Sequence, residues 1–161
     1  MVAVCDSSVW IFLAKLGLAE HAISLFDKTI VPNTVHEEIA VRNDQASAAL
    51  ATMLSGNRVE IMSARNERFV NALRRRLGRG ESESIVVALD INADVVLLDD
   101  HAARTIALQL GLSVKGTLGI IRKLMQLGQY NVDLKDLYEH LKSMGFWVNE
   151  ELYWKIFSDL A

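Results

Sequence analysis

The chain of 161 residues has the length of one domain, and a hydrophobic content of 51% with a mean hydropathy of +0.20 supplies enough apolar surface for a core. This composition excludes an intrinsically disordered chain. The 17 basic and 20 acidic residues give a formal net charge of −3, which excludes a uniformly basic surface for non-specific nucleic-acid binding. Any nucleic-acid site must therefore be local.

The cysteine content and the first residues of the chain indicate a reducing compartment. The single cysteine, Cys5, excludes an intramolecular disulfide and a cysteine-based zinc module. The N-terminal residues carry no basic leader and already include a carboxylate at Asp6, unlike a secretory signal. No stretch approaches the roughly 18 apolar residues that a membrane-spanning helix needs. We therefore expect a cytoplasmic protein with no membrane segment.

Short apolar segments of strand length alternate along the chain with longer segments of helical periodicity. The predicted strands are residues 2–5, 29–31, 59–62, 95–98 and 112–115. Two predicted helices begin at Ser8, as the capping residue, and at Pro32. Six more cover residues 18–26, 44–54, 67–77, 82–91, 102–110 and 118–127. From Asp133 onward only helical periodicity remains, which predicts two terminal helices. We expect a single domain over residues 1–161, with residues 133–161 as its helical C-terminal extension.

This alternation of strands and helices predicts the fold class. Parallel strands need a crossover connection and are buried on both faces. The pattern therefore predicts a three-layer α/β/α sandwich around a mostly parallel central sheet of about five short strands. In such sheets the functional crevice lies beyond the carboxyl ends of the strands.

Acidic residues occupy the positions expected to border this crevice. Asp6 follows the first strand, and Asp99 and Asp100 follow the fourth. Glu37 and Glu38 lie one helical turn beyond the second strand, and Glu81 and Glu83 begin the helix before the fourth. Like charges held near 4 Å in partly buried surroundings repel by roughly 4 kcal/mol per pair, so a counter-charge is needed. A hard divalent cation such as Mg²⁺ or Mn²⁺ prefers oxygen ligands and supplies that charge.

Five motifs surround these acids. They are Asp6-Ser7-Ser8, residues 35–39 (Val-His-Glu-Glu-Ile), residues 80–85 (Gly-Glu-Ser-Glu-Ser-Ile), residues 97–100 (Leu-Leu-Asp-Asp) with Ala103-Arg104, and residues 116–119 (Gly-Thr-Leu-Gly). In order and spacing they resemble PIN-domain nucleases, particularly the VapC-like toxin branch, over nearly the whole chain. The resemblance implies an endoribonuclease that binds Mg²⁺ or Mn²⁺ through an acidic quartet. It also implies an RNA substrate, a homodimer and pairing with an antitoxin protein.

The resemblance assigns the metal-binding roles to particular acids. The implied ligands are Asp6, Glu38, Glu83 and Asp100, with Asp99 as a further catalytic residue. Glu38 is preferred to Glu37 because an apolar residue follows it, as in the family. Glu81 would replace Glu83 if its helix begins earlier. The family's Thr-x-Asp pattern selects Asp100, but Leu98 stands in place of the threonine, so Asp99 and Asp100 are both kept.

Basic and hydroxyl side chains near the acids are candidates for contact with the substrate. The dense basic run consists of Arg74, Arg75, Arg76 and Arg79. Such a run is either a solvated face or, beside an acidic metal site, a place for the phosphate backbone of RNA. Arg104 either pairs with Asp100 four residues earlier or contacts phosphate. Thr117 either caps the following helix or hydrogen-bonds a metal-bound water.

Two other classes of function fit parts of the pattern. A receiver-like phosphoryl-transfer domain also gathers acids, a threonine and a lysine (here Lys115) around Mg²⁺, but needs a phosphoacceptor aspartate after the middle strand. Taking residues 59–62 as that strand, Ser63-Ala64-Arg65 follow it and supply no acid. A non-catalytic PIN-like binding module, which dimerises or binds a partner peptide, is the other alternative.

Overall fold

The computed structural model describes residues 1–160 and shows a five-stranded parallel sheet between two layers of helices. The strands are β1 (Val2–Cys5), β2 (Lys28–Pro32), β3 (Val59–Met62), β4 (Val95–Leu97) and β5 (Val114–Lys115). Their order in the sheet is β3-β2-β1-β4-β5, and every neighbouring pair is parallel. The predicted α/β/α architecture with about five short strands is confirmed.

Helices connect successive strands and follow the last one. They are α1 (Ser7–Lys15), α2 (Ala19–Ile23), α3 (Asn33–Ala40), α4 (Gln45–Ser55), α5 (Glu67–Leu73), α6 (Arg79–Asp90), α7 (His101–Gln109), α8 (Thr117–Gln126), α9 (Leu134–Ser143) and α10 (Glu150–Ile156). The first helix includes Ser7, so Ser8 is not its capping residue, and α6 begins three residues before its predicted start. The predicted strand over 112–115 is shorter, covering only its last two residues.

Successive strand residues pack on opposite faces of the sheet, as the two-residue period of a strand requires. Ala3 and Cys5 of β1 join a core cluster with α1, α2, α4 and the C-terminal helices. Val4, between them, joins a second cluster with residues of α6 and α7. Because both faces of the sheet are covered, the central strands are almost wholly apolar.

The strand order corrects one expectation from the sequence. The strand over Val59–Met62 is at the edge of the sheet, and β1 is in the middle. Glu60 is exposed in β3, as an edge position allows. The end of the middle strand is therefore Cys5, and the residue that follows it is Asp6.

The two predicted C-terminal helices pack against the α1 and α8 side of the sheet. Tyr153 of α10 is fully buried, and its hydroxyl donates a 2.6 Å hydrogen bond to the Leu134 carbonyl at the start of α9. Arg122 of α8 pairs with Asp159 at 2.7 Å and thereby fixes the segment after α10. Among residues 1–160, every helix is too short or too polar to cross a bilayer.

Candidate metal centre

Asp6 lies at the carboxyl end of the middle strand and is almost completely buried. Its backbone amide donates to the Leu97 carbonyl at 3.1 Å, which places it beside the end of β4. The carboxylate does not cap α1, and within residues 1–160 its Oδ1 atom is buried without a hydrogen-bond partner. A buried charged oxygen without a partner is costly, so this atom marks a position where a cation would be stabilised.

Three other acids are close enough to affect the protonation of Asp6. Burial, opposed by the Ser7 amide and aided by the charges of Glu81, Glu38 and Asp99, raises the pKa of Asp6 to about 7. These four carboxylates, Asp6, Glu38, Glu81 and Asp99, are called the acid cluster below. The cluster forms because the carboxyl ends of parallel strands and the N-termini of the intervening helices meet at one edge of the sheet.

Asp99 is held in place by Thr117. The Thr117 amide and hydroxyl donate to the two carboxylate oxygens of Asp99 at 2.7 and 2.6 Å. Burial raises the pKa of Asp99, while these hydrogen bonds and the charge of Arg104 oppose the rise. Thr117 is fully buried, so it lies behind Asp99 and not on the surface open to a substrate.

Arg104 lies on the same side of the acid cluster as Asp99. It is half-buried and its Nη1 atom donates to the Leu98 carbonyl at 2.9 Å, instead of pairing with Asp100. Asp100 caps α7, with Oδ1 accepting the Ala103 amide at 2.8 Å, and is exposed. Its charge nevertheless raises the pKa of Glu81, so Asp100 borders the acid cluster.

Glu81 and Glu83 occupy different surroundings although they are two residues apart on α6. Burial raises the pKa of Glu81, aided by the charges of Asp100 and Glu38, and its Oε2 atom accepts the Gly78 amide at 3.0 Å. Glu83 is buried, and its two oxygens accept backbone amides from other segments. Since α6 begins at Arg79, the helix starts early enough for Glu81 to take the place expected of Glu83.

Glu83 has a structural role in this arrangement. Its Oε2 accepts the Thr34 amide at 2.8 Å and its Oε1 accepts the Ala64 amide at 3.2 Å. The side chain thus joins the start of α3 to the loop after β3, and both carboxylate oxygens are engaged.

Two glycines leave room for the acids. A Cβ atom at Gly80 would lie 2.8 Å from both carboxylate oxygens of Glu38, and one at Gly116 would lie 2.8 Å from Asp99 Oδ1. Any side chain at these positions would therefore displace a carboxylate of the cluster. Both glycines stand in the motifs quoted from the sequence, but their packing role depends on the tertiary contact and was missed.

The chemistry of the cluster fits a hydrated divalent cation. All its donors are carboxylate oxygens, which Mg²⁺ and Mn²⁺ prefer, and Asp6 Oδ1 lacks any other partner. Among residues 1–160, no three His, Cys, Asp or Glu side chains lie close enough to ligate one ion directly. Mg²⁺ usually keeps several of its waters and is bound by one or two carboxylates, so three direct protein ligands are not required.

Other chemistry at the site is less suited to the residues present. Cys5 is buried beside Asp6, and burial together with the Asp6 charge raises the pKa of its thiol well above the ordinary range. A thiol that stays protonated is neither a nucleophile nor a metal ligand.

The candidate basic residues Arg74, Arg75, Arg76 and Arg79 are all exposed.

Two comparisons with known proteins found matches to this chain. A family model of the PIN domain matches residues 2–161, so the chain belongs to the PIN domain family. PIN domains are typically nucleases and generally use divalent metals. A solved PilT N-terminus domain protein from the hyperthermophilic archaeon Sulfolobus solfataricus is 16% identical, with a TM-score of 0.48, and the match covers 83% of this chain and 98% of that one. The comparison with curated proteins found no match.

Proposed function

We propose that this PIN domain is an endoribonuclease that depends on Mg²⁺ or Mn²⁺ and hydrolyses RNA phosphodiester bonds at the acid cluster. The proposal rests on one observation: within residues 1–160, the Oδ1 atom of Asp6 is buried and has no hydrogen-bond partner. It lies at the carboxyl end of the middle strand, among three further acids. When bound, a divalent cation supplies positive charge that stabilises the phosphodiester in the transition state and makes water a better nucleophile.

The residues of the chain divide into three roles in this proposal. Asp6, Glu38, Glu81 and Asp99 would hold the cation, in part through its bound waters. Thr117 keeps Asp99 oriented through two hydrogen bonds, so that the carboxylate is preorganised. The exposed arginines at 74–76 and 79 are suited to contact the phosphates of the strand on either side of the scissile bond.

The topology of the sheet disfavours the receiver-like alternative. Receiver domains have the strand order 2-1-3-4-5, with the third strand in the middle. Here the order is β3-β2-β1-β4-β5, and β3 is an edge strand followed by no acid. A non-catalytic binding module differs from a nuclease in having no metal-dependent cleavage, which the following experiment decides.

Cleavage of a labelled single-stranded RNA by the purified protein tests the proposal. We expect cleavage with Mn²⁺ or Mg²⁺, none with EDTA, and a loss of at least about a hundredfold in Asp6→Asn. Asp133→Asn is the matched control, because Asp133 caps α9 away from the cluster and asparagine caps equally well. Cleavage that survives in Asp6→Asn, or metal-independent cleavage, would refute the proposal; no cleavage by the wild-type protein would favour the binding module.

A further inference from the structure

A polar cavity of about 310 Å³ lies at the carboxyl ends of β2 and β3. We call it the α5 cavity: its walls are the first residues of α3, the loop after β3, one face of α5 and the start of α6. This volume is at the lower end of the ~300–1,000 Å³ range of small-ligand sites. It is therefore sized for one small unit of a larger substrate.

Helix α5 presents a polar face to this cavity. Glu67, Val70, Asn71 and Arg74 all line the cavity, and their spacing of three and four residues places them on one side of the helix. No residue of α5 is fully buried, so this face is not part of the core. It offers a carboxylate, an amide and a guanidinium, which together are suited to hydrogen bonding with a polar ligand.

The segment that forms much of the cavity wall is positive although the chain is acidic overall, while the lining itself also contains Glu67 and Glu83. Residues 65–79 include six arginines and one glutamate. Two of these arginines, Arg74 and Arg79, line the cavity. A guanidinium binds phosphate through paired hydrogen bonds, so two of them in one cavity favour an anionic, phosphate-bearing ligand.

Arg79 is available for such a ligand. Its Nη1 atom lies 3.6 Å from Glu37 Oε2, and both side chains are more than half exposed. An exposed pair at this distance contributes little, so the guanidinium can turn to an incoming phosphate at small cost. Glu83, by contrast, uses both oxygens on backbone amides and fixes the floor of the cavity.

The cavity and the acid cluster share a wall. Thr34 and Glu38 lie four residues apart on one face of α3, and Thr34 lines the cavity while Glu38 belongs to the cluster. An RNA strand with its reactive phosphodiester at the cluster would therefore pass its adjoining nucleotide into the cavity. Unstacked bases of single-stranded RNA are recognised by hydrogen bonds to their edges, as an amide and a carboxylate provide.

We propose that the α5 cavity binds one nucleotide of the RNA strand next to the scissile bond and thereby sets sequence preference. Arg74 and Arg79 contact its phosphate, and Asn71 and Glu67 contact the edge of its base. This inference rests on the proposed ribonuclease function, because it assigns the cavity to the same substrate.

Binding of the four 5′-ribonucleoside monophosphates to the metal-free protein tests the cavity separately from catalysis. Titration followed by amide NMR shifts should show binding at α5, with Arg74→Gln weakening it by about tenfold. Arg68→Gln is the matched control: it removes the same charge from α5 but lies off the cavity face, and should change affinity less than about twofold. Glu67→Gln should change the ranking of the four nucleotides.

The outcomes separate this inference from the ribonuclease proposal. Equal losses in Arg74→Gln and Arg68→Gln indicate diffuse attraction and overturn the cavity, as does the absence of any nucleotide binding. RNA cleavage without nucleotide binding overturns the cavity alone. Nucleotide binding without metal-dependent cleavage of RNA overturns the ribonuclease proposal, and with it the placement beside a scissile bond. Urea midpoints near the wild-type value confirm that each variant is folded.

Discussion

Asp6→Asn should stabilise the metal-free protein at alkaline pH, because it removes a buried negative charge. Burial raises the pKa of Asp6 from its ordinary value of 3.8 to about 7. The folded protein therefore keeps this proton up to about pH 7, whereas the unfolded chain releases it near 3.8. The folded state binds more protons in this interval, so the stability of the wild-type protein falls as the pH rises through it.

The size of the expected effect follows from the change in pKa. A rise of about three pKa units at ~1.4 kcal/mol each gives an upper bound of about 4 kcal/mol near pH 8, and almost nothing at about pH 3. The buried asparagine amide has its own desolvation cost, which shifts the whole curve by a constant amount. The prediction therefore concerns the growth of the stability difference with pH.

Urea unfolding in EDTA at a series of pH values measures this difference. Asp133→Asn, the control on α9, should show no gain at alkaline pH. Adding Mn²⁺ near neutral pH should raise the urea midpoint of the wild-type protein and leave that of Asp6→Asn unchanged, because only the former keeps the proposed ligand. A stability difference between wild type and Asp6→Asn that does not grow from roughly pH 4 to pH 8 would refute the account of Asp6 as a destabilising buried charge.

Three further predictions concern other parts of the site. Gly80→Ala should lower the affinity for Mn²⁺ by about tenfold in calorimetry, since the new Cβ displaces the Glu38 carboxylate, while Gly119→Ala, with no atom closer than 4.0 Å to its Cβ, should leave it unchanged. Glu83→Ala should reduce the free energy of unfolding by about 1–3 kcal/mol, because two backbone amides lose their acceptor. Toxin activity, which the resemblance to VapC-like nucleases implies, predicts that expression of the chain in bacteria arrests growth and that Asp6→Asn relieves the arrest.

Each of these predictions has a result that contradicts it. Equal metal affinities of Gly80→Ala and the wild-type protein would show that Glu38 does not act at the site. A Glu83→Ala variant with full stability would mean that water replaces the lost acceptor. Growth arrest that persists with Asp6→Asn would separate toxicity from the acid cluster. Sedimentation equilibrium, which measures the mass in solution, tests the expected homodimer.

The sequence predicts the architecture well because strand burial leaves a strong pattern. The apolar run at 2–5 coincides with β1, since a parallel strand covered on both faces needs such a run, and the run at 59–62 coincides with β3 although two of its four residues are exposed. The order of the strands in the sheet is set by tertiary packing and has no comparable local pattern. Within β3, the charged Glu60 is a local sign of an edge strand, since a strand covered on both faces rarely places a glutamate there.

The site is less predictable because it depends on the rotation and start of one helix. Glycine disfavours a helix interior, so the sequence predicts that this helix begins after Gly80. In the structure α6 begins at Arg79, and the Gly78 amide is satisfied by Glu81. Residues two apart on a helix point ~200° apart, so Glu81 and Glu83 cannot share one site, and tertiary contacts decide between them.

The acid cluster also bears on how long the folded protein survives. Its carboxylates come from the end of β1, from α3, from α6 and from the end of β4, and without a cation they repel one another. A cation bound among them would act as a noncovalent cross-link between distant parts of the chain, which one cysteine cannot provide. Because this cross-link exists only in the folded state, it would slow unfolding and protect the protein from proteases. The supply of divalent ions would then govern the lifetime of the protein as well as its activity.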